Sequence, residues 1–380
     1  MSDRKVPKLR FLEFSGNWVT KNIGSILSIG SGRDYKYLNS GIYPVFGTGG
    51  LMTHVDQYLH DGESVCIGRK GTIDKPVFMN GKFWTVDTLF YTHSFINTIP
   101  KFVYNIFQKI NWSLYNEATG VPSLSKATIE SIKVKFPYSL EEQTKIADFL
   151  TSIDDKIQQL TKKKELLEHY KKGVMRDIFS QKIRFKDDNG NDYPDWEVNK
   201  FGAITVNVSK KNLNSTLYPI YSVNNKTGFI PQSEQFDGLD SNERNYDISL
   251  YKIVNKFTFA YNPARINVGS LGYSGELENI IISSLYVCFK TIDIIDDTFL
   301  LQYFKSNFFK KSVLQNIEGG VREYLFYDNF AKIKINTPSK SEQVKISSFL
   351  TNIDDKITQV NTQLEHAKLF KKSLLQQMFI

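Results

Sequence analysis

The sequence predicts an α+β fold built twice: two variable globular domains separated by two long, antiparallel coiled-coil helices, with an internal pseudo-twofold relating the halves. Three observations lead there. Residues 142–157 (EQTKIADFLTSIDDKI) return as residues 342–357 (EQVKISSFLTNIDDKI), identical at twelve of sixteen positions without a gap. Each copy runs on into a heptad-like apolar seam. The intervening segments alternate short aromatic and β-branched runs with Gly, Asn and Asp turns, a strand texture.

The repeat comes first because it sets the domain organisation. Lys8-Leu9-Arg10-Phe11 resembles Lys182-Ile183-Arg184-Phe185, and each is followed by a Trp (Trp18, Trp196) and a Gly (Gly24, Gly202). Tyr43-Pro44-Val45-Phe46 resembles Tyr218-Pro219-Ile220-Tyr221, and Gly120-Val121 lies 200 positions before Gly320-Val321. Residues 60–90 and 235–290 share little beyond texture. Four segments follow: 1–138, an N-terminal segment and first variable domain; 139–181, a helix; 182–338, a linker and second variable domain; 339–380, a second helix. The second linker carries an Asp-Asp-Asn-Gly-Asn-Asp insertion between Phe185 and Trp196.

Each helix opens with Ser-x-x-Glu (Ser139 to Glu142, Ser339 to Glu342) just after a proline (Pro137, Pro338), the signature of a capping box. Apolar residues then recur at spacings of four and three: Ile146, Leu150, Ile153, Ile157, Leu160, Leu167, Val174 and Ile178, with Ile346, Leu350, Ile353, Ile357, Val360, Leu364, Leu374 and Met378 in the second copy. Lys164, Lys171 and Lys371 interrupt the seam. A continuous helix over residues 140–179 extends about 60 Å at 1.5 Å per residue, too long for one small core. Packing the two helices on each other, antiparallel, is the economical arrangement. Lys162-Lys163-Lys164 and Lys171-Lys172 are read as a solvated face, and the doubled Asp-Asp-Lys (154–156, 354–356) as surface ion pairs.

In the variable domains, strands are expected at Tyr43–Phe46, Ser64–Ile67, Thr85–Tyr91, Phe257–Tyr261 and Ile280–Phe289, and helices at 100–116 and 297–316. Polar and basic residues gather in the loops between them: Ser31–Lys36, Gly47–Gly50 and Gly68–Thr72 in the first domain, Lys210–Asn212, Asn224–Thr227 and Asn262–Asn267 in the second. Arg, Lys, Asn and Thr in Gly-flanked loops suit contact with nucleic-acid bases and phosphates.

Composition agrees with a binder of anionic partners. The 380 residues carry a formal net charge of +8, and hydrophobic residues make up 41%, enough for two or three ordinary cores. The two cysteines, Cys66 and Cys288, sit in apolar strand-like runs and are expected to be buried in a reducing cytoplasm. Met1 to Phe14 has no apolar stretch of the secretory kind, and no run approaches ~20 apolar residues. The motifs of chemistry are missing. The nearest string to an amino-methyltransferase Asn-Pro-Pro-Tyr is Asn262-Pro263-Ala264-Arg265; no GxxxxGK[ST] and no Glu-x-Lys occurs, and the five histidines lack metal-ligand spacing. Phe46–Gly50 reads as a turn. No catalytic residue, metal site or cofactor is therefore expected in this chain.

The doubled Glu-Gln-x-Lys-Ile, Phe-Leu and Ile-Asp-x-Lys-Ile leading into a long helix resemble the specificity (S) subunits of type I restriction-modification enzymes. Pro7-Lys8-Leu9-Arg10-Phe11, Glu13-Phe14, Gly16 and Trp18 are similar to the opening of many members, and residues 261–269 (YNPARINVG) to their second domain. The resemblance spans essentially the whole chain. It implies a non-catalytic, cytoplasmic host-defence subunit whose two target recognition domains each read half of a split double-stranded DNA site. The helices would set the gap between half-sites and dock two methyltransferase (M) subunits, which motor-nuclease (R) subunits join; S-adenosylmethionine, ATP and magnesium would sit on those partners. DNA contact is then expected from Arg33, Lys36, Thr48, Arg69 and Lys70, and from Lys210, Asn224, Asn225, Lys226, Arg265 and Arg322. M-subunit contact is expected along 142–157 and 342–357, at Glu142, Gln143, Ile146, Phe149, Glu342, Gln343, Ile346 and Phe349. Competing readings are a stand-alone sequence-specific DNA-binding regulator, a restriction enzyme with its own methylase, and a coiled-coil scaffold that never touches nucleic acid.

Overall fold

The computed structural model describes residues 6–235, 238–244, 246–317 and 324–380. The chain forms two compact units: one runs to Lys163 and takes in Val360–Ile380, the other is Lys164–Gln359. Among the described residues no helix is long and apolar enough to cross a membrane.

The first unit contains β1 (Val19–Asn22), β2 (Ser28–Ser31), β3 (Ser40–Gly47), β4 (Gly50–Val55), β5 (His60–Asp61), β6 (Ser64–Gly68), β7 (Val77–Met79), β8 (Lys82–Thr85), β9 (Leu89–His93), α1 (Pro100–Lys109), α2 (Lys126–Ser131) and β10 (Lys133–Phe136). Helix α3 (Leu140–Phe179) begins in this unit and ends in the other. The strands form sheets of order β2-β9-β6-β7 and β4-β3-β8-β5, and the pair β1-β10. All pairings are antiparallel except β3 with β8.

The second unit contains β11 (Glu197–Lys200), α4 (Phe201–Ile204), β12 (Thr205–Asn207), β13 (Ile220–Asn224), β14 (Gly228–Pro231), α5 (Gln232–Gln235), β15 (Lys252–Val254), β16 (Phe259–Tyr261), β17 (Leu271–Tyr273), β18 (Ile280–Ile282), β19 (Val287–Thr291), α6 (Asp297–Phe304), α7 (Asn307–Asn316), α8 (Tyr327–Phe330), β20 (Lys334–Thr337) and the start of α9 (Lys340–Met378). Its sheets run β12-β19-β16-β17 and β14-β13-β18-β15, beside the pair β11-β20. Adding ten to every strand label of the first unit reproduces these orders, and β13 with β18 is again the parallel pair. The two units are one topology, although their variable sequences barely resemble each other.

Two expected strands break in the same way. The run Thr85–Tyr91 is the end of β8, a tight turn in which Val86 O accepts from Leu89 N–H (2.9 Å), and the start of β9. Ile280–Phe289 likewise divides into β18 and β19 at a turn closed by Tyr286 N–H to Ser283 O (3.1 Å). In each case the chain leaves one sheet for the other. An unbroken apolar run hides the crossover because both strands bury the same residue types. The helices expected at 100–116 and 297–316 are α1 with a 3-10 turn at Trp112–Tyr115, and α6 with α7.

Inside each unit the seam residues of α3 and α9 complete the core. Ile146 and Leu150 pack in one cluster with Leu374, Leu375, Met378 and Phe379 in the first unit; Met175 and Ile178 pack with Ile346, Leu350 and Ile353 in the second. Rising numbers on one helix meet falling numbers on the other, so the segments run antiparallel within each unit. The lysines that interrupt the seam are part of it. Lys371 Nζ lies 2.6 Å from both Asp154 oxygens and 2.6 Å from Gln108 Oε1. Lys171 Nζ lies 2.5 Å from Asp354 Oδ1 and 3.0 Å from Gln302 Oε1. Asp154 and Asp354 are thus not surface ion pairs, and Lys171 is not part of a solvated face. Both lysines are buried, and an unpaired ammonium there would be costly. Burial holds the Lys171 ammonium below its ordinary pKa in spite of Asp354. Asp354 is half-buried too, yet the bonds from Lys171 and Gln302 more than offset that burial and hold its carboxyl below the usual range.

The capping boxes form only in part. Ser139 Oγ accepts from Glu142 N–H (3.2 Å), but the Glu142 carboxylate turns elsewhere, and the buried Ser339 Oγ has no hydrogen-bond partner among the described residues. In the second linker, Asp187 closes the inserted segment by accepting from the Asn189 and Asn191 N–H groups (2.9 and 2.8 Å).

Replacing Lys371 by Met leaves Asp154 and Gln108 without their donor and is expected to cost about 1.5–3 kcal/mol in urea denaturation, the scale of a charge-assisted hydrogen bond. Adding Asp154→Leu is expected to recover most of the loss, because an apolar pair substitutes well for a buried ion pair. A double variant no better than the single would show that the pair does not set the cost.

Candidate functional site

In the first unit the β8–β9 crossover, Val86-Asp87-Thr88, holds the expected contact residues together. Arg33 N–H donates to Thr85 O (2.9 Å), and Arg69 and Lys70 N–H groups donate to Thr88 O (2.8 and 3.4 Å). Val86 N–H donates to Phe46 O (2.9 Å) at the end of β3, beside the β3–β4 turn that carries Thr48. Two glycines allow the approach. A Cβ on Gly32 would lie 1.9 Å from Val86 O, and one on Gly68 would lie 2.0 Å from Thr72 O and 3.2 Å from Thr48 Cγ2. Arg33, Thr48, Arg69 and Lys70 therefore share one patch. Lys36 follows on the Arg33 connection, its N–H on Asp34 Oδ1 (3.2 Å). Arg69 is partly fixed: its guanidinium reaches toward Asp87 O (3.5 Å) and lies 6.0 Å from the Phe90 ring. Arg69, Lys70, Asp87 and Thr88 line an open cleft of about 810 Å³ with Ser31, Glu117 and Ser125.

In the second unit the β13–β14 turn meets the loop after β16. Asn224 Oδ1 accepts from Lys226 and Thr227 N–H groups (2.9 and 2.8 Å), so this side chain shapes its own turn while Asn225 and Lys226 project from it. Ser270 Oγ donates to Val223 O (2.7 Å), and Ser270 N–H to Arg265 O (3.1 Å), which ties Arg265 to that turn. The β18–β19 crossover takes part again: Tyr286 Oη accepts from Val223 N–H (3.2 Å). Lys210 sits against β15, its carbonyl accepting from Ile253 N–H (2.8 Å). Arg322, Gly320 and Val321 lie outside the described residues.

Among the described residues none of Arg33, Lys36, Arg69, Lys70, Lys210, Lys226 and Arg265 makes an ion pair, and all are exposed. Arg10, Lys171, Arg184 and Lys371, by contrast, are each held by a carboxylate. Exposed cations on Gly- and Asn-rich loops form a surface suited to an anion. The cysteines offer no reactive thiolate: burial pushes Cys66 and Cys288 up to about 12.

The residues expected to meet an M subunit are placed differently. Glu142 accepts from Arg10 Nε and Nη2 (2.7 and 2.8 Å) and from Trp18 Nε1 (3.2 Å). Glu342 accepts from Arg184 Nε and Nη2 (2.8 and 2.9 Å) and from Trp196 Nε1 (3.1 Å). Gln143 donates to Asn97 O and Pro137 O and accepts from Thr98 Oγ1; Gln343 donates to Ile294 O and Pro338 O and accepts from Asp296 N–H. Glu142, Gln143, Ile146, Glu342, Gln343 and Ile346 are 0–2% exposed, so as partner contacts they are corrected: their own unit occupies them. Phe149 and Phe349 stay at the edge, ring to ring with Phe11 and Phe185. The doubled Arg and Trp were legible as a repeat, and a buried doubled Glu needs such a countercharge.

A profile of the type I restriction modification DNA specificity domain matches residues 15–169 and again 195–368. The chain belongs to this family. It is 27% identical over 273 residues to the type I restriction enzyme MjaVIII specificity subunit of Methanocaldococcus jannaschii, a match covering 68% of this chain and 64% of that one. The chain thus spans just under two thirds of that relative. A putative type I restriction enzyme specificity subunit of Haemophilus influenzae is 23% identical over 335 residues, with 83% and 81% covered. In fold, the S subunit from M. genitalium matches with a TM-score of 0.65 at 16% identity over 99% of both chains. The two profile matches coincide with the two strand repeats, and the divergent loops of the specificity domains carry the unpaired cations.

Gly32→Ala is expected to destabilise the first unit by about 1–3 kcal/mol, the range for overpacking, because its Cβ meets a backbone oxygen. Thermal denaturation against Gly49→Ala, which meets nothing within 4 Å, checks this.

Proposed function

We propose that the chain is the DNA-reading subunit of a type I restriction-modification complex, and that it recognises a split double-stranded target. The observation that carries this is the pairing of one repeated topology with two unlike loop sets. Identical scaffolds place unpaired cations and amides at the same sheet ends, but the residues differ: Arg33, Thr48, Arg69 and Lys70 in one unit, Asn225, Lys226 and Arg265 in the other. A scaffold kept twice with its loops changed suits two different half-sites. Arg is the common reader of guanine and Asn of adenine, and freer lysines suit phosphates.

In this reading the chain does no chemistry. It directs M subunits, which carry S-adenosylmethionine, and R subunits, which use ATP and magnesium, in the cytoplasm. Docking falls to exposed neighbours of the buried Glu-Gln pairs on the same helices, such as Thr144, Asp148 and Phe149. The paired helices fix how many base pairs lie unread between the half-sites. A stand-alone DNA-binding regulator has no need of a specificity domain matched twice over, and is not favoured.

The test is methylome sequencing of cells producing this chain with and without a related M subunit. A split motif of two short halves is expected only with both proteins. Methylation by this chain alone, or no motif from an associated pair, would overturn the reading. In binding assays across salt, Lys70→Ala is expected to weaken binding evenly on all sequences and to lower the salt slope by about one, as one lost phosphate contact does. Arg69→Ala is expected to cost about 1–3 kcal/mol on the cognate half-site alone.

A further inference from the structure

Asp87 stands in the middle of the first unit's basic patch. It lies on the crossover that carries the main-chain bonds of Arg69 and Lys70, and it lines the cleft beside both. Its carboxylate is exposed, yet among the described residues it makes no ion pair and no hydrogen bond. Arg69 reaches Asp87 only at the main-chain oxygen.

That arrangement is selective on electrostatic grounds. Resting on the DNA-reading function proposed above, a carboxylate facing the duplex repels every phosphate, so it adds nothing to sequence-independent affinity. It only accepts hydrogen bonds. In the major groove the amino donors are cytosine N4 and adenine N6, while guanine and thymine offer O6 and O4 acceptors at the corresponding edge. Placed over one strand's base, a carboxylate is satisfied by cytosine or adenine and repelled by guanine or thymine, so it fixes which way round the base pair is read. In such a patch the surrounding cations would retain the backbone and the carboxylate would discriminate. The equivalent crossover of the second unit, Ser283–Tyr286, carries no carboxylate and exposes Leu285, a side chain suited to a thymine methyl group. The two units differ in chemistry at the same topological position.

We infer that Asp87 is a specificity-determining residue of the first recognition domain, accepting a hydrogen bond from the exocyclic amino group of cytosine or adenine at one position of one half-site.

The experiment is methylome sequencing of the complete chain with its M subunit, as wild type, Asp87→Ala and Asp87→Asn. In Asp87→Ala, one position of one half-site is expected to relax, its preference for cytosine or adenine falling from roughly 5- to 150-fold toward parity, while the other half-site and the gap stay unchanged. Asp87→Asn keeps the shape but adds donors, and is expected to change the preference at that same position; it decides the matter if the alanine variant fails to fold. An unchanged motif in a folded variant overturns the assignment. So does an even loss of methylation with the motif intact. A wild type that yields no split motif would instead remove the DNA-reading function on which the assignment rests.

Discussion

Each unit depends on one buried carboxylate. Glu142 and Glu342 stand in the first turns of α3 and α9, and a charge so far from water is tolerable only with a countercharge and satisfied lone pairs. Arg10 and Arg184 supply a two-pronged guanidinium, and Trp18 and Trp196 an indole N–H. Three pieces distant in sequence are thereby joined: the entering segment, the strand pair at the base of the sheets and the start of the long helix. The neighbouring Gln143 and Gln343 extend the same junction to the loops before α1 and α6. With the helix start anchored, the seam, the sheets and the loops have a frame to refer to.

This accounts for the conserved half of the repeat. At Glu142, Gln143, Ile146 and Leu150, and at their counterparts 200 residues on, the copies agree because a buried charge, a buried amide and apolar knobs allow few alternatives. The loops at the sheet ends answer to no such constraint, since their side chains end in solvent. Between the two extremes, strand order holds without sequence identity, because it needs only apolar residues of adequate size along short strands.

Much of this was legible in the sequence, and what was missed has physical causes. The helices were visible through periodicity, the doubling through direct identity, and the turns at 47–50 and 224–227 through glycine and asparagine. The crossovers at 86–88 and 283–286 were not, because strands leaving one sheet for another keep the same apolar texture across the break. In the sequence Lys171 and Lys371 read as interruptions of the seam and their aspartates as surface pairs, since spacing does not reveal a partner 183 or 217 residues away. Glu142 and Gln143 read as partner contacts because the repeat is strongest there, and a repeat alone does not say whether the fold or a partner requires it. The contact residues were legible as a set of loops; that Arg69 and Lys70 hang on Thr88 and Arg33 on the adjoining Thr85 was not.

The membership of the first unit has a consequence in time. Its core includes Leu374, Leu375, Met378 and Phe379, which follow the rest of that unit by some two hundred residues of chain. At a synthesis rate of roughly 5–20 residues per second, the nascent first unit stays open for on the order of 10–40 seconds, its apolar faces uncovered until the final turns of α9 emerge. Closing so long a loop is also slow in its own right. For that interval the half that is made first is the half that is finished last, and it is the stage at which a ribosome-bound chaperone would find the most to hold.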